Sequence, residues 1–213
     1  LVGFINTLAG GGSIISLSVL MLMGLPANIA NGTNRIAILI QTLTATGSFR
    51  QQKVLATRKG LILGIPTVAG SLIGAGIAAE LSEQVLEIAF GIILLFMLFF
   101  ILHKPSKWLK GKEELTKRKT GWFQYVIFFL IGIYGGFIHA GIGYLLLAGI
   151  VLGAGYDLVR ANALKVMIVF LYTPFTLAVF ILEDQVNYIY GLTLAIGTVS
   201  GALIASRLAV EWG

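Results

Sequence analysis

The stretch Gly135-Gly136-Phe137-Ile138-His139-Ala140-Gly141-Ile142-Gly143 lies in the middle of an apolar run covering residues 123–155. As one continuous helix that run would reach about 50 Å at 1.5 Å per residue. The hydrocarbon core of a bilayer is only about 30 Å thick, and tilt does not comfortably absorb such an excess. Four glycines and a histidine at its centre predict a helix that is broken instead. The flanking segments are too apolar for a water-facing surface, so the break belongs to a membrane protein.

A second break of the same kind opens the chain: Gly3-Phe4-Ile5-Asn6-Thr7-Leu8-Ala9-Gly10-Gly11-Gly12-Ser13. The two are related. Gly-Phe-Ile at 3–5 recurs at 136–138, an offset of 133. Ala30-Asn31 precedes Ala161-Asn162 by 131 positions, as Thr67-Val68-Ala69-Gly70 precedes Thr198-Val199-Ser200-Gly201. Three matches in order at nearly constant spacing predict an internal duplication. The first membrane repeat is read as 1–102, a basic cytoplasmic loop as 103–121, and the second repeat as 122–213. The chain begins at Leu1 inside an apolar run, and part of a first helix and a whole last helix are expected to lie outside it.

Composition agrees with a membrane class. Of 213 residues, 57% are hydrophobic and 11% charged, with 27 glycines and a mean hydropathy of +0.94. Soluble domains carry about 25% charged residues. Apolar segments are read at 14–25, 33–49, 61–79, 85–102, 123–138, 142–152, 164–182 and 188–210. All must be helical, because an open sheet leaves backbone groups unpaired in lipid. The net charge of +6 is assigned to membrane orientation and not to nucleic acid. If each broken segment crosses fully, 11 basic residues fall on the cytoplasmic side and 4 outside. If each enters and returns on one side, the split is 14 to 1. The second arrangement fits the positive-inside rule better and makes the repeats inverted, a recurring plan in secondary transporters. The expected fold is therefore an all-α integral membrane protein of about seven to eight transmembrane or re-entrant helices, in two inverted repeats with broken helices.

Candidate binding residues cluster at the breaks. Gly10, Gly11, Gly12, Gly141 and Gly143 would let backbone amides face a ligand, and a half-helix N-terminus there would favour an anion. Ser13 is read as a cap for a half-helix running from Ile14, with Asn6 and Thr7 as neutral donors. The alternative for these glycines is close helix packing. Asn31, Asn34 and Arg35, like Asn162 and Lys165, are spaced to share a helix face. Each cation is expected near the start of its helix, the unfavourable end for the dipole, so that an anion beside it would offset that effect. Snorkelling to lipid phosphates is the competing account. Inversion would put the two cations nearer opposite mouths than the midplane, which leaves gating open as a role. His139 suits either proton coupling or a neutral hydrogen bond, since Asn6 holds its place in the first half. Gln41, Gln52, Tyr144, Tyr172 and Thr173-Pro174 also lie in or near the bundle, where polar groups often only bridge helices. There are no cysteines, two histidines and no His-Glu-x-x-His run, so neither cofactor nor metal is expected, and no enzyme.

The two glycine-rich motifs, Ala30-Asn31-Gly32-Thr33-Asn34-Arg35 and Ala161-Asn162-Ala163-Leu164-Lys165 together resemble the TauE/SafE family of bacterial sulfite and organosulfonate exporters. That resemblance implies a multi-pass permease of the bacterial inner membrane, moving a small sulfur-containing anion with proton coupling. From the residues themselves a passive anion channel or a structural membrane subunit stays open. The expected partners are a small anion, protons and the lipid bilayer; the oligomeric state is not legible.

Overall fold

A computed structural model describes residues 1–102, 113–116 and 120–211, with side chains from 97 to 102 and at 113 and 114 left aside. Most of the expected loop at 103–121, together with His103, Trp108 and Trp212, falls outside the described residues. The chain is helical: α1 (Val2–Leu8), α2 (Gly12–Leu22), α3 (Ala27–Gln51), α4 (Thr57–Glu80), α5 (Glu83–Leu102), a short α6 (Glu113–Thr116), α7 (Trp122–Phe137), α8 (Ile142–Ala148) continued by a π-helical turn at Gly149–Gly153, α9 (Leu158–Leu182) and α10 (Tyr188–Glu211). Three of these, α4, α9 and α10, are long and apolar enough to cross a bilayer.

Burial runs opposite to that of a soluble protein. Ile65, Ile88, Ile92, Ile189 and Ile196 are exposed, whereas Asn31, Asn34, Arg35, Gln41, His139 and Lys165 are buried. An apolar exterior around a polar interior is stable only against lipid. This is an all-α membrane protein. Helix α3 matches the spans in length, at 25 residues, but carries much of the polar interior.

Both broken segments double back. Gly12 at the head of α2 lies against the backbone of Val2 and Asn6, which a continuous helix would hold far apart. In the second half, Ile142 packs on Gly135 and Gly149 on Phe128 and Ile131. Further along, Gln124 Nε2 donates to Gly153 O. The α8 segment therefore returns antiparallel alongside α7. The expected helix at 142–152 is present in two parts, α8 and then the π turn.

Helix directions follow from which ends meet. Phe180 lies against Gly32, Ile38 clusters with Ile168 and Val169, and Ala45 and Phe49 with Ala163 and Val166. Helices α3 and α9, equivalent at the offset of 131, are thus antiparallel. Helix α4 runs parallel to α9 (Gly60 on Met167, Gly64 on Leu171), and α3 parallel to α10 (Thr33 at Asn187, Ser48 at Ser206). The halves also exchange partners: α7 packs on α4 and α1 on α10. Small residues allow this, with Gly132 on Thr67, Gly136 on Ser71 and Gly3 on Thr198 at backbone contact. Antiparallel equivalents with swapped neighbours are the geometry of an inverted repeat.

Candidate functional site

The two hairpin turns meet tip to tip. A Cβ placed on Gly10 would lie 2.3 Å from Gly143 Cα, and one on Gly143 only 2.2 Å from Gly10 Cα. Gly10 also has φ +86°, a conformation open to glycine. These two glycines are equivalent at the offset of 133. Equivalent residues touch one another only on a two-fold axis, so the pseudo-axis runs between them. Beside it is a cavity of about 20 Å³, enough for one water-sized particle. Its walls come in equivalent pairs: Asn6 with His139, Gly10 with Gly143, Ile38 with Val169. Gln41, Thr42, Ile142, Lys165 and Val166 complete it.

Each half contributes a polar pair at matching positions. Asn6 Nδ2 donates to Gln41 Oε1 at 3.3 Å. In the other half the Tyr172 hydroxyl is 2.8 Å from His139 Nδ1, and Gln41 and Tyr172 are themselves 131 apart. Arg35 Nη1 lies 3.4 Å from the same Nδ1. A guanidinium only donates, so this ring nitrogen is an acceptor, and the neutral ring carries its hydrogen on Nε2.

The cations are tied to the turns of the opposite half. Arg35, fully buried, donates to Gly135 O at 2.6 Å and Gly136 O at 2.8 Å. It also reaches Asn31 Oδ1 at 3.3 Å and lies 5.5 Å over the Phe180 ring. Asn31 Nδ2 in turn donates to Phe137 O at 2.8 Å. Lys165 donates to Thr7 O at 2.8 Å and Asn162 Oδ1 at 2.7 Å. Both cations therefore sit at the C-terminal ends of half-helices, α7 and α1, where the dipole favours them. This corrects the expectation of cations at helix starts near opposite mouths. Helix α3 begins at Ala27, six residues before the expected start, which carries Arg35 two turns into the protein.

Ser13 differs from expectation as well. Helix α2 starts at Gly12 with no side-chain cap from its own sequence. The Ser13 amide is instead accepted by Asn6 Oδ1 at 2.9 Å, and Asn6 Nδ2 donates to Ser13 Oγ at 3.1 Å. Asn34 accepts from Ser16 Oγ at 2.8 Å, while its Nδ2 and Arg35 Nε lack partners. Gly141, at φ +73°, forms the head of α8, and the half-buried Tyr144 covers Gly11.

Of the expected residues, the structure brings Asn6, Gly10, His139, Gly143 and Lys165 to the cavity wall. Thr7, Gly11, Gly12, Ser13, Asn31, Asn34, Arg35, Gly141, Tyr144 and Asn162 are not part of that wall. Thr42 was not anticipated from sequence. Gln41 and Tyr172 carried a usable signal, their equivalence at the repeat offset.

The electrostatic balance is unusual. Every described carboxylate side chain is exposed, and the ion pair found among the described residues joins Arg160 to Asp157 at the surface. No cluster of side chains suited to a metal ion occurs among the described residues. Arg35 and Lys165 therefore stand buried with no described carboxylate beside them.

The family model described as "Sulfite exporter TauE/SafE" matches residues 1–212. Relatives include the probable membrane transporter protein ORF9 of Sinorhizobium, 27% identical over 212 residues (99% of this chain, 80% of that protein). The probable membrane transporter protein YfcA of Escherichia coli is 28% identical over 215 residues (100% and 78%). The probable membrane transporter protein YunE of Bacillus subtilis is 24% identical over 229 residues (97% and 84%). No solved structure matches.

Proposed function

The chain belongs to the sulfite exporter TauE/SafE family of membrane transporters, and from that premise we propose that it carries a small sulfur-containing anion, sulfite or a sulfonate, by proton-coupled export across the bacterial inner membrane. The observation that carries the reading is Lys165, buried in a cavity wall with no carboxylate at hand among the described residues. A buried cation without a counter-charge is costly, and an anionic cargo supplies that charge while it is bound. Asn6, Gln41, Thr42 and His139 surround the same space with neutral hydrogen-bonding groups, suited to oxygens of a sulfo group. The cavity of about 20 Å³ is smaller than such an anion, so loading requires its walls to part.

The test is transport by purified protein in liposomes. Labelled sulfite should move down an imposed pH gradient, saturate with concentration and be competed by C2–C3 sulfonates. Flux that rises linearly with sulfite and ignores the pH gradient would point to a passive channel instead. A protein that moves no sulfur anion in either direction would end the reading.

A further inference from the structure

Two groups at the cavity are able to exchange a proton, His139 and Lys165, and their hydrogen bonds separate them. His139 Nδ1 faces two donors, the Tyr172 hydroxyl at 2.8 Å and Arg35 Nη1 at 3.4 Å. A proton added there would displace the Tyr172 donor and set a second cation against a guanidinium that never gives up its charge. Lys165 Nζ has the opposite surroundings, with two acceptors, Thr7 O and Asn162 Oδ1, both neutral. A neutral amine has two N–H groups, so these acceptors satisfy it and leave its lone pair free. An ammonium has three, and the third needs a partner among groups lining the cavity. The elements packed on α9 carry Arg35 and Arg50 of α3, Arg58, Lys59 and Glu80 of α4, Tyr125 and Tyr134 of α7, His139 of the α7–α8 turn and Tyr144 of α8, while α1 supplies none. On the same helix are Arg160 and Tyr172, with Asp157 at its N-cap. The two carboxylates in that set are exposed, Glu80 at the last residue of α4 and Asp157 paired with Arg160.

We propose that Lys165 is the coupling residue: it is a neutral amine when the cavity is empty and takes up one proton as one anion binds. The inference rests on the anion-carrier reading and adds to it the atom that holds the proton. The step balances simply. The Nζ lone pair takes a proton given up by hydronium or a buffer acid of the bathing solution, whose conjugate base stays in that solution; the new N–H points to the anion, and a monoanion and proton together add no net charge to the lipid-embedded site. Release reverses both. His139 stays neutral throughout and orients Tyr172. Arg35 is a fixed clamp on the second hairpin.

The experiment is titration calorimetry on the detergent-solubilised full chain in two buffers of different ionisation enthalpy, which counts protons taken up per anion bound. Sulfate and ethanesulfonate are the probes, because their own charge is constant across the working range. The parent protein should take up as much as one proton per anion. Its affinity should then fall with rising pH by up to about tenfold per unit, the slope of a one-proton linkage. Lys165→Arg, which keeps the charge but cannot release it, should bind with no proton uptake and a flat pH profile. His139→Gln alters the cavity wall and so the affinity, but should keep the same count of protons per anion bound. Anion binding without proton uptake by the parent, or uptake lost in His139→Gln, overturns the assignment while the carrier reading stands. If Lys165→Arg does not fold, the His139→Gln count decides alone. No binding of either probe or of sulfite overturns both.

Discussion

Gly143→Ala places one methyl group where the halves of the protein touch. Its Cβ would lie 2.2 Å from Gly10 Cα and 2.8 Å from Gly10 O. Both obstacles are backbone atoms, so no side chain can rotate away. Restoring ordinary contact means parting the hairpin tips by roughly 1 Å, and overpacking of this kind costs about 1–3 kcal/mol. Gly10→Ala meets the same obstruction from the other side, at 2.3 Å, and adds a left-handed backbone at φ +86°. That conformation costs a residue with a Cβ about 1–2 kcal/mol more, so its total should be about 2–5 kcal/mol.

Thermal unfolding in detergent, followed by loss of the monodisperse peak, reads the difference. At about 2–4 °C per kcal/mol for a chain of this size, Gly143→Ala should lower the midpoint by roughly 2–12 °C. Gly10→Ala should fall further. Gly47→Ala on α3 has nothing within 4 Å and should be neutral or gain up to about 1 kcal/mol from helix propensity. The three variants share the same change in chemistry, so only location separates them. If Gly143→Ala melts with the Gly47→Ala control, the tips do not touch and the pseudo-axis has been misplaced.

Three further outcomes test the surrounding frame. Arg35→Gln leaves at least one of the Gly135 and Gly136 carbonyls unpaired and should lower stability by about 1–3 kcal/mol; an unchanged melting point would remove the clamp. Asn6→Ala strips the acceptor from the Ser13 amide, a loss of about 0.5–2 kcal/mol for a helix cap, and should reduce sulfite flux more than it reduces stability; a flux loss no larger than the loss of folded protein would leave Asn6 a capping residue only. The chain has no cysteine, so Ser48→Cys with Ser206→Cys gives a clean cross-link: the two Oγ atoms are 2.7 Å apart, and oxidation should close the α3–α10 pair into a faster-migrating band. Absence of that band would contradict the parallel packing of those helices.

The existence and location of both breaks were legible because a run too long for a bilayer, interrupted by glycine, has few structural solutions. Inversion was legible from the basic residues, whose 14-to-1 split favoured hairpins that return. The surroundings of Arg35 and Lys165 were not. Their expected place depended on where α3 and α9 begin, and apolar patterning puts a helix start too late when its first turns are polar. Helix α3 opens with Ala27-Asn28-Ile29-Ala30-Asn31-Gly32, a sequence that hydropathy rejects and tertiary packing accepts. The partner of each cation was hidden for a different reason: backbone carbonyls leave no trace in sequence, and both cations bind carbonyls across the repeat boundary. The Asn6 contact with Ser13 was equally invisible, since it joins residues on either side of a chain reversal.

Asymmetry within a symmetric frame is what allows such a site to be more than a passage. On the axis the chain has no choice, because the contact admits only glycine at 10 and 143. One step away, the same geometry tolerates different chemistry: Asn6 with Gln41 in one half, His139 with Tyr172 in the other. The cations diverge too. Arg35 is held by two carbonyls and is not part of the cavity wall, whereas Lys165 lies in it. Position 34, the equivalent of Lys165, is Asn, so one exchangeable charge is present where strict duplication would give two. Two ammonium groups facing one small cavity would repel each other and favour a divalent cargo with two protons. A single one favours one proton per anion, and the count of protons bound is therefore a direct measure of how far the two halves have diverged.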